Sequence, residues 1–293
     1  MGRGMCKNIV EMGNIQLPLL LYNRSTEKAV ALSTKLGPEK TQVVESLTAG
    51  TAKADVIFTS LANDAAVQET LDNALEVPVE GKLFIECSTI HPDTTEAMAK
   101  AVRAKGAEFV AAPVFGAPPA AEAGQLIGVL AGPKNSVAKA KPWFSGVMAK
   151  AEIDMSDQSY GKATSLKILG NSFVLAMAEQ LAEAYVVAEK SGLGMDTLHQ
   201  FVEAMFPGPY VGYSSRMMHG DYYRKEPLFG VELARKDAHH AKSLAAEAGA
   251  RLRLVEIADT HLAEVERSGS SGDIVGIYGA VREEAGLDFK NEA

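Results

Sequence analysis

Lys167 and Asn171 lie four residues apart in a stretch, 160–192, that reads as one long helix. That spacing sets both side chains on one face, about a turn from each other. An ammonium beside a reacting carbonyl stabilises the negative charge that grows on oxygen and can hand over a proton. An amide one turn away can orient the partners. On spacing alone the plainer reading is the commoner one: a lysine that reaches solvent beside a satisfied asparagine. From Phe173 to Ala188, however, the helix is apolar almost all round and should be buried among other helices. A Lys and an Asn on a buried face need partners.

A second candidate lies near the start. Leu17-Pro-Leu-Leu-Leu-Tyr22 is a short apolar run, read as a buried strand despite Pro18, and it leads into Asn23-Arg24-Ser25. In a dinucleotide-binding sheet the residue after the second strand meets the adenosine ribose. An acid there suits the 2′-hydroxyl of NAD, and an arginine suits the 2′-phosphate of NADP, which guanidinium grips with a planar fork. A solvated arginine after a strand is equally ordinary, and the tripeptide alone leaves both readings open.

The elements that must position these residues follow a simple alternation. Helices are predicted over 3–12, over 25–36 with Ser25 or Thr26 as cap, from about Asn63, after His91-Pro92-Asp93, and near 134–149. Strands are predicted at 17–22, at Val43-Val44, and over 55–60, 82–87, 108–112, 126–131 and 152–155. This is the pattern of an open, largely parallel, doubly wound α/β sheet of Rossmann type. From about Gln158 everything reads as helix: 160–192, 195–205, a short helix within 207–224, then 229–249, 252–267 and 272–285. The expected organisation is an α/β domain over 1–158 and an all-α domain over 159–293. Clefts between domains often hold ligands, and Lys167 is expected to open onto this one.

With 293 residues, 47% of them apolar, the chain can fill two cores. Its formal net charge of -8, with scattered basic residues, argues against nucleic acid or an anionic membrane as main partner. No apolar run approaches the roughly 20 residues of a membrane span. Cys6 and Cys87 are the two cysteines, which makes a reducing compartment, the cytoplasm, the default. The six histidines are spread out and no metal site is expected. Tyr185 and Lys190 are five apart, not the four of a short-chain dehydrogenase.

Taken in order, seven segments resemble the β-hydroxyacid dehydrogenase family, which includes 3-hydroxyisobutyrate dehydrogenase and is related to 6-phosphogluconate dehydrogenase. Met1-Gly2-Arg3-Gly4 is similar to the end of the family's glycine motif, and Asn23-Arg24-Ser25 to its cofactor-selecting turn. Ser60-Leu61-Ala62 resembles a cofactor-contacting turn, and Ser88-Thr89 the loop beside the nicotinamide. Phe115-Gly116-Ala117 resembles the substrate clamp, Gly161 with Lys167 and Asn171 the catalytic helix, and Lys236-Asp237 a pair that closes the cleft. The resemblance implies NADP held by Gly2, Asn23, Arg24, Ser25, Leu61, Ala62, Ser88, Thr89 and Lys236. It implies Lys167 as general acid/base and Asn171 as orienter, and it assigns dinucleotide binding to 1–158 and substrate binding with dimerisation to 159–293. A small substrate would be bound by Phe115, Gly116, Ala117, Lys167 and Asn171, in a homodimer built through 160–293.

Three departures qualify these expectations. The family's clamp reads Ser-Gly-Gly; here an aromatic replaces a hydroxyl, which favours a larger or less polar substrate, an imine included, unless Phe115 turns into the core. Ala163 stands where a second glycine is usual. The family also begins with a strand and Gly-x-Gly-x-x-Gly, of which only the last two residues, Met1 and Gly2, are matched. About 10–15 further residues upstream are therefore expected in the functional protein, one strand and the rest of the motif. A reductase-like binding module without turnover is the alternative: Lys167, Asn171 and Lys236 favour the enzyme, the missing strand the module.

Overall fold

The computed structural model describes residues 1–16, 18–267 and 272–291. Its elements are, in chain order, α1 (Gly2–Met12), β1 (Leu19–Leu21), α2 (Thr26–Leu36), β2 (Thr41–Val43), α3 (Leu47–Lys53), β3 (Val56–Thr59), α4 (Asp64–Ala74), β4 (Leu83–Glu86), α5 (Pro92–Ala104), β5 (Glu108–Ala111), β6 (Val114–Phe115), α6 (Pro118–Glu122), β7 (Leu126–Gly132), α7 (Lys134–Ala140) and β8 (Ala149–Ser156). Helices follow: α8 (Tyr160–Ser191), α9 (Met195–Met205), α10 (Pro209–Met218), α11 (Asp221–Arg224), α12 (Val231–Glu247), α13 (Arg253–Arg267) and α14 (Ile277–Glu284). The chain divides into two compact units, Met1–Lys167 and Ile168–Ala293, so the division falls inside α8 rather than ahead of it.

The sequence predicts one sheet, and the strands form two. β1 pairs in parallel with β2, Leu19 opposite Thr41. β3, β4 and β5 run parallel, β7 lies antiparallel to β5 and β6, and β8 is parallel to β7. The break separates β1 from β3. Among the described residues each has one hydrogen-bonded neighbour.

The larger sheet is apolar on both faces because both are covered. Leu83, Ile85 and Val110 pack with Met5 and Ile9 of α1, Ala121 of α6 and Val137 of α7. Phe84, Phe109 and Val129 pack on the other side with Leu71 of α4, Met98 and Val102 of α5, and Tyr160 and Ala163 of α8. The predicted helix over 134–149 ends at Ala140 and tightens into a 3-10 turn over Lys141–Trp143. Pro142 lacks a backbone donor and Gly146 sits at φ 78°, so β8 starts early, at Ala149. In the first predicted strand, Leu19–Leu21 pair and Leu17 lies outside the described residues.

In the second unit Leu175, Ala178, Leu181, Ala182 and Tyr185 of α8 form one core with Val202, Met217, Leu262, Ile277 and Tyr278 of the later helices. Ala234, Ala238 and Ala241 of α12 are wholly buried, and their small side chains let α13 approach closely. Within one chain the helices leave the outer face of α8 open. Phe173 is 79% exposed and Val187 65%, with Leu169, Gln180 and Glu183 also exposed. The unit has helices enough to cover one side of α8 only. Among the described residues no helix is long and apolar enough to cross a membrane.

Candidate active site

In the first unit, Lys167 is placed by the way α8 begins. The Gly161 N–H donates to Glu96 Oε1 of α5 at 2.7 Å, so a carboxylate satisfies one of the open amides at the helix start. A Cβ on Gly161 would stand 3.1 Å from Pro92 Cβ and 3.2 Å from its carbonyl oxygen, which explains the glycine. Tyr160 meets Phe109 edge to face at 5.4 Å, and Thr95 Oγ1 donates to Thr164 Oγ1 at 3.1 Å. Two turns on, Lys167 is 7% exposed and its Nζ stands 4.6 Å from the centre of the Phe115 ring. Phe115 ends β6, opposite Ile127, and is half-buried. Its ring meets the lysine and also packs against the core formed by Phe84, Phe109 and Tyr160. The ring face carries partial negative charge and attracts the ammonium.

In the second unit, Asn171 and Asp237 are both buried, and Asn171 Nδ2 donates to Asp237 Oδ2 at 2.6 Å. Lys236 Nζ lies 3.1 Å from Asp237 Oδ1. The Lys-Asp pair of α12 thus holds the asparagine of α8 through the aspartate.

Most of the expected cofactor residues follow the ends of parallel strands β1, β3 and β4, where ligands gather in such sheets; Gly2 opens α1 and Lys236 lies on α12. After β1, Asn23 Oδ1 accepts the Ser25 N–H at 2.9 Å and shapes the turn. Arg24 is exposed and forms no hydrogen bond or ion pair among the described residues. Ser25 caps α2 by position, with no hydrogen bond from its side chain. After β3, Ser60 faces Gly2: a Cβ on Gly2 would be 3.8 Å from Ser60 Cβ, which leaves the start of α1 uncrowded. The Leu61 N–H donates to Ser88 Oγ at 2.8 Å, so the turns after β3 and β4 are tied together. Ala62 and Arg24 are open to solvent; Ser88 is buried and Thr89 half-buried. An uncrowded helix start, a solvent-facing arginine and joined turns at strand ends fit a phosphate-bearing dinucleotide.

The structure thus joins Lys167 to Phe115, Leu61 to Ser88, Gly2 to the Ser60 turn, and Asn171 to the neighbour of Lys236. Among the described residues it shows no bond from Asn23-Arg24-Ser25 to the others. Gly116, at φ 134°, and Ala117 are exposed beyond β6. Sequence reasoning missed Glu96 as the partner of Gly161 and gave Glu86 no role. The signal for Glu86 was available: an acid closing the otherwise apolar strand Leu83-Phe-Ile-Glu86.

Residues 1–156 match the family described as the NAD binding domain of 6-phosphogluconate dehydrogenase. Over 291 residues the chain is 38% identical to the NADH-dependent oxidoreductase ucdB of Aspergillus ustus, covering 99% of this chain and 98% of that protein. The Mycobacterium tuberculosis 3-hydroxyisobutyrate dehydrogenase, solved with L-serine, aligns with a TM-score of 0.78 at 23% identity over 96% of each chain. Psf3 in complex with NADP+ and 2-OPP aligns at 0.82 with 22% identity, again over 96% of each. At those identities the structures bear on the fold, a Rossmann-like domain followed by a helical region. With the family match over the first unit and the relative spanning nearly the whole chain, the protein belongs to the β-hydroxyacid dehydrogenase family of NAD(P)-dependent oxidoreductases.

Proposed function

We propose that the protein interconverts a hydroxy acid, or a similar alcohol, and its carbonyl form, with NADP as cofactor and Lys167 as general acid/base. The observation that carries this is the buried Lys167 ammonium held against the Phe115 ring on a helix pinned at its start. In reduction, Nζ would donate a hydrogen bond to the carbonyl oxygen and then the proton; in oxidation, the neutral amine would take it back. The bound nicotinamide would supply or accept the hydride. Asn171, one turn on and held by Asp237, is the proposed orienter. The Ser88-Thr89 and Ser60-Leu61-Ala62 turns would seat the cofactor, and the Gly116-Ala117 backbone would receive a carboxylate. Lys167→Ala should lower turnover roughly 10²–10⁴-fold with cofactor binding retained. Equal turnover in variant and parent would remove Lys167 from the mechanism, and a parent silent on acids, aldehydes and imines would favour the binding-module reading.

Arg24 supports the choice of NADP. A charge-assisted contact to the 2′-phosphate, at about 1.5–3 kcal/mol, implies about 10–100-fold weaker NADP binding in Arg24→Ala, with NAD little changed. Equal affinities of the parent for the two cofactors would refute that choice, and the NADH-dependent relative makes the titration worth doing first. The Phe115 ring makes the wall beside the ammonium apolar, which favours carbonyl compounds with apolar substituents. A homodimer through 160–293 would cover Leu169, Phe173 and Val187 on the outer face of α8, and light scattering at micromolar concentration tests it.

A further inference from the structure

Glu86 is the last residue of β4 and is 1% exposed. Its Oε1 accepts the Ser88 N–H at 2.6 Å, and its Oε2 is hydrogen-bonded to Thr59 Oγ1. Thr59 is its register partner at the end of β3. Ser88 Oγ then accepts the Leu61 N–H at 2.8 Å. The bonds and the two short chain segments close a ring: Thr59 to Glu86, Glu86 to Ser88, Ser88 to Leu61, and Leu61 back to Thr59. No basic side chain among the described residues is ion-paired with Glu86. Burial pushes its carboxyl up from the ordinary carboxylate range, and the nearby charge of Asp64 pushes the same way.

An acid kept in such a place is expensive to bury unless its bonds serve something. A Leu at the end of β4 would fill the volume without that cost, yet it could not hold either turn. We infer that Glu86 is a positioning residue that locks the turns after β3 and β4 into one rigid seat for the nicotinamide cofactor. This rests on the reading that those turns contact the cofactor. The carboxyl touches neither substrate nor cofactor in this scheme and acts through Ser88 and Leu61. Preorganising the seat would improve binding by sparing the cofactor the cost of ordering two loops.

The test uses the cofactor-free protein and three variants. In Glu86→Gln the amide oxygen can still accept from Ser88 and the NH2 can donate to Thr59 Oγ1. Glu86→Ala removes both bonds, and Thr59→Val removes one at nearly constant volume, which guards against a Glu86→Ala that fails to fold. Amide hydrogen exchange at Leu61 and Ser88 is followed with and without NADPH, together with NADPH affinity by fluorescence titration. Exchange at both amides should quicken at least about tenfold in Glu86→Ala, and by a smaller factor in Thr59→Val. NADPH affinity should fall about tenfold or more and about threefold, respectively, while Glu86→Gln stays within about threefold of the parent on both measures. Unchanged exchange in folded Glu86→Ala or Thr59→Val overturns the locking role. Quickened exchange with unchanged affinity overturns the seat. If NADPH fails to slow exchange at Leu61 and Ser88 in the parent, the underlying assignment of the turns is what has failed.

Discussion

Among the described residues each unit buries one glutamate deeply, and the two are treated in opposite ways. Glu86 in the α/β unit is met by a hydroxyl and an amide, with no ion-pair partner among the described residues. Glu179 in the helical unit is 2% exposed and sits 2.8 Å from His261 Nδ1, whose other nitrogen is 3.2 Å from Glu284 Oε2. Those bonds push the His261 imidazole up to about 9, the one to Glu179 counting most, so it is charged at neutral pH. The helical unit joins α8, α13 and α14 with charge, while the α/β unit fixes its strand ends with neutral donors.

The largest effect should come from breaking the charged cluster. His261→Leu leaves Glu179 buried without its counter-ion and should destabilise the protein by about 3–5 kcal/mol in urea denaturation. Replacing Glu179 and His261 together by leucine should recover most of that loss, since a well-packed apolar pair often matches a buried ion pair. A His261→Leu loss below about 1 kcal/mol would mean the cluster is not holding the helices.

A smaller effect should appear with pH. The folded His261 pKa, about 9, lies above the unfolded value near 6.5, so its stabilisation is complete below the unfolded value and is lost as pH rises through about 9. The denaturation midpoint of the parent should fall across that window, and the His261→Leu profile should be flatter there. Parallel profiles would contradict the assignment.

The smallest effect concerns Glu86. Its folded pKa is also raised, but by burial rather than by pairing, so its contribution is complete below about 4.3 and fades as pH rises through the folded value. Both sites thus lose stability towards high pH, one through a charged pair and the other through burial. Glu86→Gln should flatten the part of the profile that begins near about 4.3; a profile that still falls there as steeply as the parent's would contradict the assignment.

Much of this was legible in the sequence because it rests on local signals. The alternation of apolar strands with capped helices gave the first unit, with Asn63 capping α4 and His91-Pro92 opening α5 as the residues suggest. The spacing of Lys167 and Asn171 gave their place on α8, and the seven matched segments gave the family. What the sequence did not show depends on distant pairing. β6 has two residues and no readable period, and α3 and α6 are short. The antiparallel turn at β7 is a matter of which strand finds which. The Glu86 ring crosses 27 residues of chain between Ser88 and Leu61, so an acid in an apolar strand was its one trace. The exposed face of α8 was hidden by composition, which reports how apolar a helix is and not how many neighbours it has.

If Arg24 has its proposed role, the separate pair β1–β2 would bear on how cofactor choice is made. Arg24 follows a three-residue strand in a sheet of two, and such a sheet has little stability of its own. Its backbone bonds should be among the first in the α/β unit to open, as an independent cooperative segment with a low opening free energy. A 2′-phosphate gripped by Arg24 would then do more than add one contact. It would raise the opening free energy of the whole β1–β2 segment by mass action, so discrimination between the two dinucleotides would be registered as local folding rather than as a difference at a rigid pocket.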